Sequence, residues 1–248
     1  MVSLPRNEFK AALAAGRVQR GIWCTLRDSM AAEMLAGCGF DWLMFDTEHS
    51  PMDPAAVLPL MQAVAPYPVS AIVRPGSLSA PEIKKLLDLG AQTILVPMVH
   101  TADMAAQAAA AVAYPPAGIR GVSGVTRATR FGKVPGYHKA ARDEICLIAQ
   151  VESLEALGNI EEIAATPGID ALFVGPADLA GALGYVGEPS HPEVTKAVLE
   201  AIRRITAAGK PAGILTMDPA VYDAALEAGA LFVSRDVDMV ALRKGLSG

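Results

Sequence analysis

The chain has 248 residues, 52% of them hydrophobic and 19% charged, with a formal net charge of −5. That share of apolar residues supports a large core and excludes a disordered chain, and the acidic balance argues against a nucleic-acid surface, although Arg120, Arg127, Arg130 and Lys133 gather locally. Cys24, Cys38 and Cys146 have no C-x-x-C spacing, the N-terminal stretch has no apolar signal core, and no apolar run reaches membrane-spanning length, so a reducing cytoplasm is expected and a disulfide framework, zinc knuckle or membrane span is not.

A short leading helix is expected over 5–15, closed by Gly16. Apolar β-rich runs follow at 21–26, 42–45, 69–73, 93–96, 145–151, 171–174, 212–214 and 231–233. Helical patterns fill the intervals at 29–36, 54–65, 80–89, 101–113, 153–165, 191–208 and 219–228, with a last one at 239–246. Ser29, Ser79, Thr101, Ser153, Ser190 and Asp218 stand where N-caps belong. Gly37, Gly90, Gly209 and Gly229 follow helices where a left-handed residue is wanted. Strands that are continuously apolar, rather than alternating, belong to a parallel sheet covered by helices. Eight such β/α units without a linker predict one (β/α)8 TIM barrel over 1–248, with its short N-terminal helix. An open doubly wound sheet is the alternative, but no G-x-G-x-x-G follows a first strand. Two long connections, 114–144 and 175–190, are Gly-rich and expected to be functional.

Several of these runs end in a polar residue. The run 42–45 empties into Asp46, Glu48 and His49; A-I-V ends in Arg74; Q-V-E ends in Glu152; and V-G-P-A-D ends in Asp178. In a barrel the C-terminal strand ends share one mouth, so these residues can meet. Glu152 and Asp178 suit a hard cation such as Mg²⁺ or Mn²⁺, with other positions left to water and substrate. The plainer reading is that both are helix-start carboxylates. His49 has Asp46 three residues before it, an arrangement that could orient a general base; a backbone-bonded loop histidine is the alternative. Arg74 could hold a carbonyl or carboxylate oxygen, or pair with Glu48. None of the eight lysines ends a strand, and Lys210 precedes one, so a Schiff base is not expected. The turn from Gly175 through Ala177 and Asp178 opens a short helix whose N–H groups favour an anion, or is an ordinary strand-to-helix turn.

Together the pieces F-D-W-L-M-F-D-T-E-H-S-P, V-R-P, K-K-L-L-D-L-G-A, P-P-A-G-I-R-G, Q-V-E-S, V-G-P-A-D-L and G-I-L resemble the HpcH/HpaI aldolase family over nearly the whole chain. The resemblance implies a barrel of the phosphoenolpyruvate/pyruvate type and a class II aldolase. Such an enzyme reversibly cleaves a 4-hydroxy-2-oxo acid to pyruvate, or a close 2-oxo acid, and an aldehyde. It implies Mg²⁺, Mn²⁺ or Co²⁺ at Glu152 and Asp178, and no organic cofactor. His49 would be the acid/base with Asp46, Arg74 would stabilise the enolate, and Gly175, Ala177, Asp178 and Leu215 would hold the 2-oxo acid. It further implies a homo-hexamer in which Asp88 reaches a neighbour's site. The related alternatives are an acyl-CoA lyase of the citramalyl- or malyl-CoA type and a non-catalytic barrel. One departure is Val233-Ser234-Arg235-Asp236, where a glycine-bearing turn is expected; Arg235 there either alters the charge of the mouth, and with it acceptor preference, or lies on the surface.

Overall fold

The computed structural model describes residues 3–247. Helix α1 (Glu8–Ala14) leads into β1 (Gln19–Cys24), α2 (Ser29–Ala36), β2 (Trp42–Asp46), α3 (Pro54–Val64) and β3 (Ser70–Arg74). Then come α4 (Ala80–Asp88), β4 (Thr93–Val96), α5 (Ala102–Val112) and the short α6 (Tyr137–Ala140) with a 3-10 turn at Ala141–Glu144. β5 (Cys146–Val151), α7 (Leu154–Gly158), α8 (Ile160–Ala165), β6 (Ala171–Val174), α9 (Pro176–Ala182) and α10 (Pro192–Ala207) follow. The chain closes with β7 (Ala212–Leu215), α11 (Pro219–Glu227), β8 (Ala230–Val237) and α12 (Asp238–Ser247). The strands form a closed parallel barrel in sequence order, with β8 paired back onto β1. The expected barrel is therefore the observed one.

Two apolar layers hold it. The outer faces of the strands pack against the helices, with Leu43, Phe45, Val73, Ile94, Leu147 and Leu172 buried there. The inner faces fill the barrel with Trp23, Trp42, Met44, Ile72, Ile148, Phe173 and Phe232. This split follows the period-2 alternation of a strand. Phe9 of α1 plugs the floor, edge-on to Trp42 at 6.5 Å and to Phe232 at 5.6 Å. Asn7 caps that helix and reaches the Gln92 and Glu144 carbonyls, which fixes the plug to the barrel floor.

The large inner rings need small residues opposite them. A Cβ on Gly21 would lie 2.0 Å from the Trp42 ring, and one on Gly213 would lie 2.1 Å from the Phe232 ring. We expect Gly213→Ala to lower stability by at least about 1–3 kcal/mol, the ordinary range for overpacking. The urea midpoint should fall without a change of slope; an unchanged midpoint would show that the ring moves at no cost.

Local details differ from the sequence reading where a neighbouring residue serves better. Asp28, not Ser29, caps α2, and His191, not Ser190, caps α10. Gly37 is right-handed at φ −80°, while Gly39 takes the left-handed position at φ 83°. The helix expected over 153–165 breaks at Asn159, which donates to the His100 carbonyl. Residues 233–236 are not a turn: β8 continues to Val237, and Ser234 pairs with both Gly21 and Leu215. The long connection 114–144 joins a helix to a strand, so it lies at the barrel's N-terminal end, opposite its own mouth.

Candidate active site

Parallel closure brings the C-terminal ends of all eight strands to one face. There a cavity of about 570 Å³ opens, with Trp23, Arg74, Gln150, Glu152 and Phe173 among the residues lining its deep part. His49, Ala177, Asp178, Ser190 and Met217 line its exposed part.

Arg74 organises the floor. It is the last residue of β3, register partner of Asp46, the last residue of β2. Its Nε and Nη2 donate to the two Asp46 carboxylate oxygens at 2.8 and 2.7 Å, a bidentate pair buried on both sides. Nη1 stands 2.8 Å from Glu48 Oε2, off the N–H direction, so that buried oxygen has no well-directed donor. The guanidinium lies over the Trp23 ring at 4.8 Å, and Trp23 Nε1 donates to Asp46 at 3.2 Å. Burial works against the Asp46 charge, but the bonds and charge of Arg74, with the Glu48 and Trp23 N–H groups, hold its carboxyl below the usual range. This pairing therefore stabilises the fold above the ordinary Asp range, and the gain is lost as pH falls through the lowered native value.

The expected contact between Asp46 and His49 is not formed. Both Asp46 oxygens are taken by Arg74, Trp23 and the Glu48 N–H. The carboxylate near His49 is instead Glu48, 3.8 Å from its Nε2. Burial pushes the Glu48 carboxyl up, against the opposing charges of Arg74 and His49.

Gln150 ties the two halves of the floor together. It sits two residues before Glu152, so both face the barrel interior. Its Nε2 donates to Glu152 Oε2, and its Oε1 accepts from Arg74 Nη1 at 3.5 Å. The other Glu152 oxygen accepts from the Met98 N–H at 2.9 Å. Met98 holds φ at 54°, an uncommon value for a side chain of its size, in the turn that presents this donor. Sequence reasoning gave no role to Gln150 or Trp23. A buried amide interrupting an otherwise apolar strand was the available signal for the first; Trp23 carried none, since inner aromatics usually serve packing alone.

The carboxylates fit a hard cation. Burial first, then the Asp178 and Glu48 charges, push the Glu152 carboxyl up to about 7, against bonds from Met98 and Gln150. A cation relieves that cost by favouring the ionised form. Room is kept by Gly175, where a Cβ would stand 2.3 Å from Glu152 Oε2. Among the described residues no three or more His, Cys, Asp or Glu side chains cluster as metal ligands; a cation at Glu152 and Asp178 would take its further positions from water or substrate. Gly175 is also the N-cap of α9 and offers no side-chain acceptor to the first-turn N–H groups of Ala177 and Asp178. Leu215, at the end of β7, lines the same cavity. Asp88 is elsewhere, at the end of α4, bound by the buried Arg120 at 2.8 Å. Lys10 and Lys210 donate to the Ile145 and Ile169 carbonyls beside the starts of β5 and β6, at the other end of the barrel.

Residues 19–244 match the HpcH/HpaI aldolase/citrate lyase family. The chain belongs to that family. This HpcH/HpaI member is 54% identical over 98% of its length to a hydroxypyruvate/pyruvate aldolase of Sagittula stellata, covering 96% of that protein. It is 50% identical over 97% of its length to a 4-hydroxy-2-oxo-heptane-1,7-dioate aldolase of Salmonella heidelberg, covering 92% of it. Its fold superposes on the crystal structure of an HpcH/HpaI aldolase/citrate lyase family protein from Burkholderia cenocepacia with a TM-score of 0.92 and 37% identity, covering 97% of this chain and 98% of that one. The family member described here has no helix long and apolar enough to cross a membrane among its described residues.

Proposed function

We propose that this protein is a divalent-cation-dependent aldolase that reversibly cleaves 4-hydroxy-2-oxo acids to pyruvate, or a close 2-oxo acid, and an aldehyde. The observation that carries the reading is the fixed guanidinium of Arg74, joined through Gln150 to Glu152 on the floor of one cavity. Glu152 and Asp178 would hold Mg²⁺, Mn²⁺ or Co²⁺, whose bound charge polarises a 2-oxo group and favours its enolate. The Ala177 and Asp178 N–H groups receive the substrate carboxylate. Arg74, immobilised by Asp46, stands ready for the oxygen that gains charge as the C3–C4 bond breaks. Because it is held before the reaction, little reorganisation is needed when that charge appears. His49, beside Glu48, takes the proton of the 4-hydroxyl, and returns it to the new alkoxide in synthesis.

His49→Ala should lower aldol turnover by about 10²–10⁴-fold, the usual span for a general base. It should leave pyruvate binding, followed by titration, much less affected. Near-normal turnover in the variant would remove His49 from the mechanism. A panel of 4-hydroxy-2-oxo acids and acyl-CoA thioesters tests the reaction class. Release of pyruvate from the former is expected; cleavage of the thioesters alone would reassign the protein as an acyl-CoA lyase.

The free thiols Cys24, Cys38 and Cys146 suit a cytoplasmic protein. The assembly in this reading is a homo-hexamer in which Asp88 serves a neighbouring mouth. Exposed apolar residues on α2 and α12, Met30, Met34, Leu242 and Leu246, support burial against other copies.

A further inference from the structure

Behind Glu152 stands a turn whose backbone is not one its residues would choose. β4 ends at Val96, and two residues later Met98 holds φ at 54°. A residue with a Cβ rarely enters this left-handed region, and does so only where its surroundings dictate it. The Met98 side chain does not supply the reason, because it is exposed. The main chain does. The Met98 N–H donates to Glu152 Oε1 at 2.9 Å, and the next N–H, of Val99, donates to the Gln150 carbonyl at 3.0 Å. Further bonds hold the far end of the turn. His100 Nδ1 and Ser153 Oγ share a hydrogen bond at 2.8 Å. The His100 carbonyl accepts from Asn159 Nδ2 at 2.9 Å. Asn159 sits in the cap position between α7 and α8, yet its side chain makes no cap bond to α8. Its amide is used on the turn instead. The turn 98–100 is thus clipped along its length to the segment 150–159, which carries Glu152.

We propose, on the cation reading above, that this clip sets the cation affinity of the site, with Met98 and Asn159 as its positioning residues. The Met98 N–H on one Glu152 oxygen and Gln150 Nε2 on the other fix the plane of the carboxylate before a cation arrives. Each oxygen keeps a lone pair for the cation. A ligand already oriented by outer partners binds more tightly, because less freedom is lost on binding. Asn159 lies outside the lining of the cavity. It acts through the His100 carbonyl, which anchors the turn and so keeps the Met98 backbone left-handed. Cation affinity is therefore tuned from the helix layer, at the break between α7 and α8.

The test is Mn²⁺ binding by the full chain without substrate, read from the electron paramagnetic resonance of the free ion. It compares the wild type with Met98→Gly, Met98→Ile and Asn159→Ala, each shown by circular dichroism to be folded at the temperature used. Glycine takes a positive φ without strain, whereas a β-branched side chain all but forbids it. Met98→Ile should therefore turn the N–H away from Glu152 and weaken Mn²⁺ binding about tenfold or more, the usual cost of losing an outer partner of a metal ligand. Asn159→Ala should weaken it several-fold, and Met98→Gly should bind like the wild type. A turn with a purely structural role would lower the melting temperature of the cation-free protein in Met98→Ile and Asn159→Ala but leave Mn²⁺ affinity alone. Wild-type affinity in either of these two variants, or a loss in Met98→Gly equal to that in Met98→Ile, would overturn the proposal. If Met98→Ile does not fold, Asn159→Ala decides. Failure of the wild type to bind Mn²⁺ would instead remove the cation reading, and the clip would fall with it.

Discussion

Arg74→Ala should lower aldol cleavage and pyruvate methyl-proton exchange together, each by about 10²–10³-fold, the cost of removing one well-placed oxyanion donor. Both reactions pass through the same enolate, and its oxygen would lose the same guanidinium. The fold should also suffer. Asp46 would remain buried with its two strongest bonds gone, and Glu48 would lose its counter-charge. Breaking a buried ion pair by deleting one partner costs roughly 3–5 kcal/mol. Arg74→Lys separates the two effects. It keeps the charge and much of the stability, but a point charge cannot reproduce the two-pronged bond to Asp46. Its rate should stay low for both reactions while its melting temperature recovers. Equal activity in the lysine variant and the wild type would show that charge alone matters at this position.

The second large effect concerns the carboxylate pair. Glu152→Gln and Asp178→Asn should each weaken cation binding by at least tenfold and abolish most turnover, because on the proposed reading each removes a charged oxygen ligand. Binding can be read without activity, as a rise in the melting temperature of the wild type on adding Mn²⁺. That rise should shrink in both variants. A variant that keeps both the thermal shift and full turnover would take its residue out of the cation site.

The barrel was legible because its strands are buried on both faces. The runs 93–96 and 171–174 coincide with β4 and β6. Elsewhere apolar patterning stopped one residue short, at positions of the candidate site. β2 continues to Asp46 and β3 to Arg74, and these two polar residues are register partners. Hydropathy cannot register a backbone ladder that runs on beneath charged side chains. The partners within the site were less legible for a related reason. Sequence spacing offered Asp46 to His49 three positions later, whereas the fold offers it an arginine from the adjacent strand, with better geometry and a full counter-charge. Gln150 and Trp23 needed the barrel's inner face to be known before their roles had meaning. A turn was expected at 233–236 because the apolar run of the last strand ends at Val233; pairing on both sides of Ser234 keeps the segment in the sheet.

The most direct measurement is release of pyruvate from a racemic 4-hydroxy-2-oxo acid by the purified full chain. It is followed first after chelation and then on adding back Mg²⁺ or Mn²⁺. The expected result is one pyruvate for each molecule of substrate cleaved in the presence of cation, none in its absence, and recovery when the cation returns. Undiminished release from the chelated protein, or no pyruvate with any divalent cation, would contradict the assignment.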